Sequence, residues 1–273
     1  MITFIVLNLL SLLSSILLAV FAMSTPCQYA WLPLIFIGFF TAYAAAFILL
    51  MCFTSLFVSK KKVYTKRSSY YLWIQTRIIE ILCIFCLVRV RVKGMDIVPK
   101  DRPFYLVGNH QSFFDPMLAS MILRRWRFAF ISKPENFKIP FIGRILHRNG
   151  YLAIDRENNC NALLTMSKAI EMMSKQGYSI GIYPEGHRNK TDEALLPFHA
   201  GSFRVAFKAK APVLIAVIDD ARILSRRKFL YPVCIDFRFV ELVETEPFNN
   251  DTQALSDYCR QRILDDLAAH ARS

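Results

Sequence analysis

The polar and apolar positions divide this chain into three textures. Residues 2–23 carry no charged side chain, a short polar break at 24–30 contains Pro26, and residues 31–58 are again uncharged. As a helix, residues 2–23 would rise about 33 Å, enough for a bilayer's hydrocarbon core. Five basic residues then fall within the nine of "SKKKVYTKR", while the break between the apolar runs has none. The positive-inside rule predicts a transmembrane hairpin with residue 59 onward in the cytoplasm and the N-terminus on the same side. The start lacks a basic n-region and a clear small-residue cleavage site, which argues against a signal peptide. The competing reading, buried core helices, suits two tandem runs with a basic flank poorly.

A third apolar segment, residues 70–90, is interrupted by Arg77 and Glu80. It reads as an interfacial helix, or one packed on the membrane-facing side of a soluble domain, with its leading tyrosines and tryptophan at the headgroup boundary. A third span would instead carry the rest of the chain across the membrane. From about Val92, short apolar runs alternate with longer amphipathic ones. Strands are expected at 103–108, 127–132, 150–155, 178–184, 212–218 and 232–242. Helices are expected at 116–125, 140–148, 158–175, 201–210 and 252–271. The alternation predicts an α/β fold with a largely parallel sheet flanked by helices. Three parts follow: a hairpin at 1–58, a basic juxtamembrane segment with an interfacial helix at 59–94, and a domain at 95–273.

Composition narrows the function. Apolar residues make up 54% of the chain and charged residues 20%, which excludes disorder. The net charge of +13 calls for an anionic partner: nucleic acid, an anionic membrane or an acidic protein. The two apolar runs, and the lack of an interleaved aromatic and basic stripe, speak against nucleic acid. Of seven cysteines, Cys83 and Cys86 form the only C-x-x-C, inside the apolar "EILCIFCLV". They read as buried thiols, since no second pair or nearby histidine completes a metal or redox site.

In open parallel sheets, sites form beyond the carboxyl ends of strands. That rule selects "GNHQSFFD", "SKPENF", "DRENN" and "PEGHRN". In the first, His110 could accept a proton from a hydroxyl near neutral pH, and Asp115 could orient it. On one straight helix the two would point about 140° apart. Pro116 suits a first helical position, which makes Asp115 the expected N-cap and leaves His110 in the preceding loop. The same observation permits a plainer reading, a helix cap beside a solvated histidine, and the pair alone does not decide. "PEGHRN" adds Glu185, Gly186 for a tight turn, and Arg188, whose fork suits phosphate. Lys133, Arg156 and Arg188 near one histidine suggest a phosphate-bearing substrate with a hydroxyl to be activated.

The blocks "NHQSFFD", "GYLAIDR", "YPEGHR" and "APVLIAVI", in that order, resemble those of the glycerophospholipid acyltransferase superfamily. They are most similar to its 1-acyl-sn-glycerol-3-phosphate acyltransferases, over roughly residues 92–241. The resemblance implies His110 as general base and Asp115 as its partner, acting without metal or covalent intermediate. It implies Lys133 and Arg188 on the acceptor phosphate, Glu185 and Gly186 shaping that pocket, and Arg156 assisting. The acyl donor would be a thioester co-substrate on coenzyme A or acyl carrier protein, with no other cofactor. Membrane lipids (lysophosphatidate and anionic phospholipids) would be partners, and acidic acyl carrier protein would suit the positive surface. His187 and Asn189 depart from the pattern and bear on acceptor preference; Pro134 bears on the reach of Lys133. Glycerol-3-phosphate or another lysophospholipid is the alternative acceptor, and a non-catalytic lipid-binding protein the alternative of another class. The sequons at Asn189 and Asn250 would face the cytoplasm and stay unmodified.

Overall fold

The computed structural model describes residues 2–60, 62, 64, 66–155 and 159–270, with the side chains of 2, 3, 26 and 159 left aside. Arg156, three residues of the basic run, and the expected helix ends Asn158 and Ala271 lie outside the described residues. The chain forms two compact units, Met1–Lys62 and Val63–Ser273.

The first unit contains α1 (Ile2–Ala22), the one-turn α2 (Pro26–Tyr29) and α3 (Leu32–Ser55). Leu7, Ser11, Ser15 and Ala19 form a buried stripe on α1 at four-residue spacing. The serine hydroxyls donate to the carbonyls of Leu7 and Ser11, so neither burial leaves a donor unpaired. Ser14 and Tyr43 bond across to α3 at 2.8 Å. Most other apolar side chains on both helices are exposed, unlike those of a soluble core. Both helices are long and apolar enough to cross a membrane.

The second unit opens with α4 (Ser69–Phe85) and β1 (Val88–Lys93). It continues through β2 (Tyr105–Gly108), α5 (Phe114–Ile122), β3 (Phe128–Ser132), α6 (Ile142–Arg148) and β4 (Leu152–Ala153). Next come α7 (Asn159–Gln176), β5 (Ser179–Ile182), α8 (Arg204–Ala209), β6 (Val213–Asp219), α9 (Ile223–Arg226), β7 (Val233–Val243) and α10 (Thr252–His270). The strands form one sheet in the order β1-β7-β6-β2-β5-β3-β4. Every pairing is parallel except β6 with β7. Every residue of β2 and β5, and all of β6 but its last, is buried, as a sheet covered on both faces requires. Helix α4 packs on α5 and α6, α7 on α8, and α10 on β6 and β7.

The α/β class and largely parallel sheet match the expectation. Four local readings are corrected. The end of the third apolar segment is a strand: "VRVRVK" alternates with period two, and its run along β7 (Val88 beside Val233) lies far away in sequence. Helix α5 begins at Phe114, not Pro116. The expected strand at 150–155 pairs over only two residues. The expected helix at 201–210 opens as a 3-10 turn, Ala200–Phe203.

At the sheet centre, Gly181 on β5 leaves room for aromatic neighbours. A Cβ there would lie 2.5 Å from a Phe130 ring carbon and 2.8 Å from one of Phe128. Gly181→Val is therefore expected to destabilise the folded protein by about 1–3 kcal/mol through overpacking. A lowered denaturant midpoint with unchanged m-value would register this.

Candidate active site

The site is assembled where parallel strands end. Strand β2 stops at Gly108, and the next side chain prolongs the sheet in place of backbone. Asn109 Nδ2 donates to the Ile218 carbonyl at 2.7 Å, and Ile218 N donates to Asn109 Oδ1 at 2.8 Å. Asn109 thereby pairs with β6 while its own main chain turns away. The sequence reading assigned Asn109 no role; an asparagine directly before the histidine was the available signal.

The turn brings His110 back over the start of α5. Its Nδ1 lies 2.9 Å from Asp115 Oδ2. The same oxygen accepts from Gln111 N at 2.6 Å and Ser112 N at 2.7 Å. Ser112 Oγ in turn accepts from Phe114 N at 3.3 Å. Asp115 thus bonds backward to the backbone of the preceding loop, and it lies inside the first helical turn instead of at the N-cap. Pro116 is tolerated there because the first-turn N–H groups have no intrahelical acceptor. Three donors on one oxygen demand an acceptor, so Nδ1 carries a proton, and in the neutral ring Nε2 carries the lone pair.

A second loop grips the histidine's backbone. His110 N donates to Glu185 Oε1 at 2.5 Å, and Asn189 N donates to the His110 carbonyl at 2.7 Å. Glu185 Oε2 accepts from Leu196 N at 3.0 Å. Gly186, at φ +80°, supplies the left-handed turn that directs Glu185 inward and lets the chain continue to Arg188. The imidazole stacks on Tyr183 at 4.4 Å and 13° between planes, and Tyr183 stacks on Phe130 at 5.3 Å. The hydrogen bond to Asp115 and this aromatic stack together define the ring's position and tilt.

His110, Lys133, Gly186 and Arg188 line one cavity of about 140 Å³. Lys133 follows β3, with Pro134 opening the 3-10 turn Pro134–Phe137 behind it. Arg188 and Lys133 are exposed and aligned with the histidine, whereas Glu185 is buried and does not line the cavity. Its carboxylate acts from behind, through backbone. Asn189 is also turned inward: its amide donates to the Glu193 carbonyl at 2.9 Å and accepts from Thr191 N and Oγ1. That departure from the family pattern therefore belongs to the loop's framework, while His187 is exposed. Through Phe113, Pro116, Ser132 and Asn136 the cavity adjoins a second one of about 220 Å³. Ile78, Ile79 and Leu82 of α4, Met117 of α5 and Ile142 and Ile145 of α6 supply its apolar wall.

The chain's sequence and its α/β fold are both similar to those of known proteins. The sequence model of the Acyltransferase family matches residues 89–219. More particularly, the chain is similar to 1-acyl-sn-glycerol-3-phosphate acyltransferases, as the four sequence blocks indicated. It is 30% identical over 181 residues to the alpha enzyme of Mus musculus, covering 65% of this chain and 63% of the relative. It is 26% identical over 182 residues to that of Saccharomyces cerevisiae, covering 65% and 59%. It is 34% identical over 128 residues to that of Haemophilus influenzae, covering 45% and 52%. The matches thus span somewhat less than two thirds of these relatives' length. The fold is similar to the crystal structure of the 1-acyl-sn-glycerophosphate acyltransferase PlsC from Thermotoga maritima. That likeness has a TM-score of 0.65 at 22% identity, covering 96% of this chain and 97% of the other.

Burial raises the Glu185 carboxyl from 4.5 to about 7, against the opposing pull of its two backbone donors. The folded state therefore holds this proton more tightly than the unfolded chain does. Its contribution to stability is greatest below pH 4.5 and declines as pH rises through about 7. Glu185→Gln, which cannot ionise, is expected to show a smaller fall in thermal midpoint between pH 5 and pH 7.5 than the parent. The paired melting curves check this.

Proposed function

We propose that this protein is a membrane-bound acyltransferase that moves a fatty acyl group from a thioester to the free hydroxyl of 1-acyl-sn-glycerol-3-phosphate, giving phosphatidate. The observation that carries the reading is the Asp115-bonded His110 in one cavity with Lys133 and Arg188. The neutral imidazole accepts the hydroxyl proton at Nε2 while Asp115 stabilises the imidazolium formed. The alkoxide oxygen attacks the thioester carbonyl. The new C–O ester bond forms, the C–S bond breaks, and the departing thiolate takes the proton back from Nε2. Lys133 and Arg188 attract the acceptor's phosphate, Arg188 through its planar fork. Gly186, and Glu185 behind it, maintain the turn that presents Arg188.

The apolar cavity suits the donor's acyl chain, since it shares four lining residues with the cavity that holds His110. The apolar helices of the first unit suit anchorage in a bilayer where acceptor and product both reside, and the basic run after them suits a cytoplasmic orientation. Anionic phospholipids would reinforce that placement. The donor is carried by coenzyme A or acyl carrier protein; the positive charge suits the acidic carrier protein as well as the membrane.

The deciding experiment supplies labelled acyl-coenzyme A and acyl–acyl carrier protein to reconstituted full-length protein with lysophosphatidate, glycerol-3-phosphate or another lysophospholipid. Lysophosphatidate is expected to be preferred, and preference for another acceptor would overturn that assignment. His110→Ala is expected to lower turnover by on the order of 10²–10⁴-fold. Unchanged turnover in that variant would overturn the mechanism. Ile78→Trp, which intrudes on the apolar cavity, is expected to shift donor preference toward shorter chains while leaving the Km for lysophosphatidate unchanged.

A further inference from the structure

The connection between β6 and β7 carries apolar side chains that the catalytic cavity does not use. Phe229 is 81% exposed, and Leu230 and Tyr231 beside it are also exposed. They follow three cations in a row, Arg226, Arg227 and Lys228. At the end of α4, Phe85 is 70% exposed and Leu87 is exposed as well. Arg227 joins the two groups: its guanidinium donates to the Tyr231 carbonyl at 2.9 Å and to the Cys86 carbonyl at 3.0 Å. Val233 N also donates to the Leu87 carbonyl at 2.9 Å. The segment is thus tied to the end of α4, which brings its exposed aromatics to the neighbourhood of Phe85 and Leu87.

The location of this patch follows from the sheet. Strand β6 runs parallel to β2, so the connection leaves from the edge where His110 lies. Strand β7 returns antiparallel, and β1 runs beside it from Val88, so the end of α4 meets that same edge. β1 is three positions from β2, or about 14 Å at ~4.8 Å per strand. A contiguous apolar patch open to water is unfavourable unless something covers it. Here the surrounding charge identifies the cover. Arg89 on β1 and Lys228 are exposed cations beside the patch, with Arg226 held by the exposed carboxylate of Asp192 at 2.9 Å. Aromatic side chains with a cationic rim match an anionic lipid surface, where rings enter the headgroup boundary and cations face phosphates.

We propose that residues 226–231, with Phe85 and Leu87, form a membrane-contacting patch specific to the second unit, which holds the carboxyl edge of the sheet against anionic lipid. The test requires no turnover, so its outcome is independent of the acyl-transfer reading. Full-length protein carrying Phe229→Trp is placed in vesicles of phosphatidylcholine with phosphatidylglycerol, and in vesicles of phosphatidylcholine alone, each with and without acyl-brominated lipid. Subtracting the parent's tryptophan emission isolates the added signal. In phosphatidylglycerol vesicles that signal is expected to move to shorter wavelength and to be lost on bromination, with a smaller loss without phosphatidylglycerol. Lys228→Glu in the same background is expected to weaken the loss. A signal that stays at the wavelength of water-exposed tryptophan, untouched by bromination, would overturn the proposal. So would equal loss in both vesicle types, or a wavelength shift that depends on protein concentration without lipid, which would make a second copy the cover.

Discussion

One buried oxygen, Oδ2 of Asp115, holds the site together. It accepts from two successive backbone N–H groups and from the imidazole, so the loop's turn, the helix's start and the histidine's orientation share one acceptor. A carboxylate buried this completely is costly unless its bonds are made. The geometry is therefore over-determined: moving any one donor would leave the others poorly matched. Holding the loop's backbone and holding the imidazole, which seem to compete for one side chain, are compatible because both fall on the same atom.

Around that oxygen the molecule adds support from distant segments. Asn109 ties the loop's start to β6, Glu185 and Asn189 tie its middle to the loop after β5, and Tyr183 supports the imidazole face. None of these groups need touch a substrate to matter. Glu185 illustrates the division of labour. A glutamate next to glycine and arginine looks, in sequence, like part of a phosphate pocket. In the fold its carboxylate faces the interior and pairs with two backbone donors, leaving the exposed Arg188 and Lys133 to face the cavity.

Parallel strands explain why the chemistry gathers in one place. The loops after β2, β3 and β5 carry His110, Lys133 and Arg188, and the shared strand direction brings all three to the same edge. The reversed pair β7 and β1 brings the patch around Phe229 to that edge too. The same edge then offers a polar cavity, an apolar cavity beside it and an apolar–cationic patch, a combination suited to substrates that are charged at one end and greasy at the other.

The sequence by itself determined whatever depends on local repetition or on the chemical type of single residues. Long uncharged runs specified the first unit's helices, and alternating apolar and amphipathic stretches specified a parallel α/β sheet. Strand-end loops rich in His, Asp, Lys and Arg marked the site's edge and most of its groups. Tertiary structure decided the relations that no local pattern encodes. It paired "VRVRVK" with β7, which lies 145 residues later at Arg91 and Asp236. It drew Asp115 into the helix's first turn, turned Glu185 and Asn189 inward, and gave Asn109 the work of a strand residue. The physical reason is the same in each case. Secondary structure follows from periodicity and steric preference along the chain. The partner of a buried polar group is selected by which distant backbone donors and acceptors the packed fold leaves in need of one.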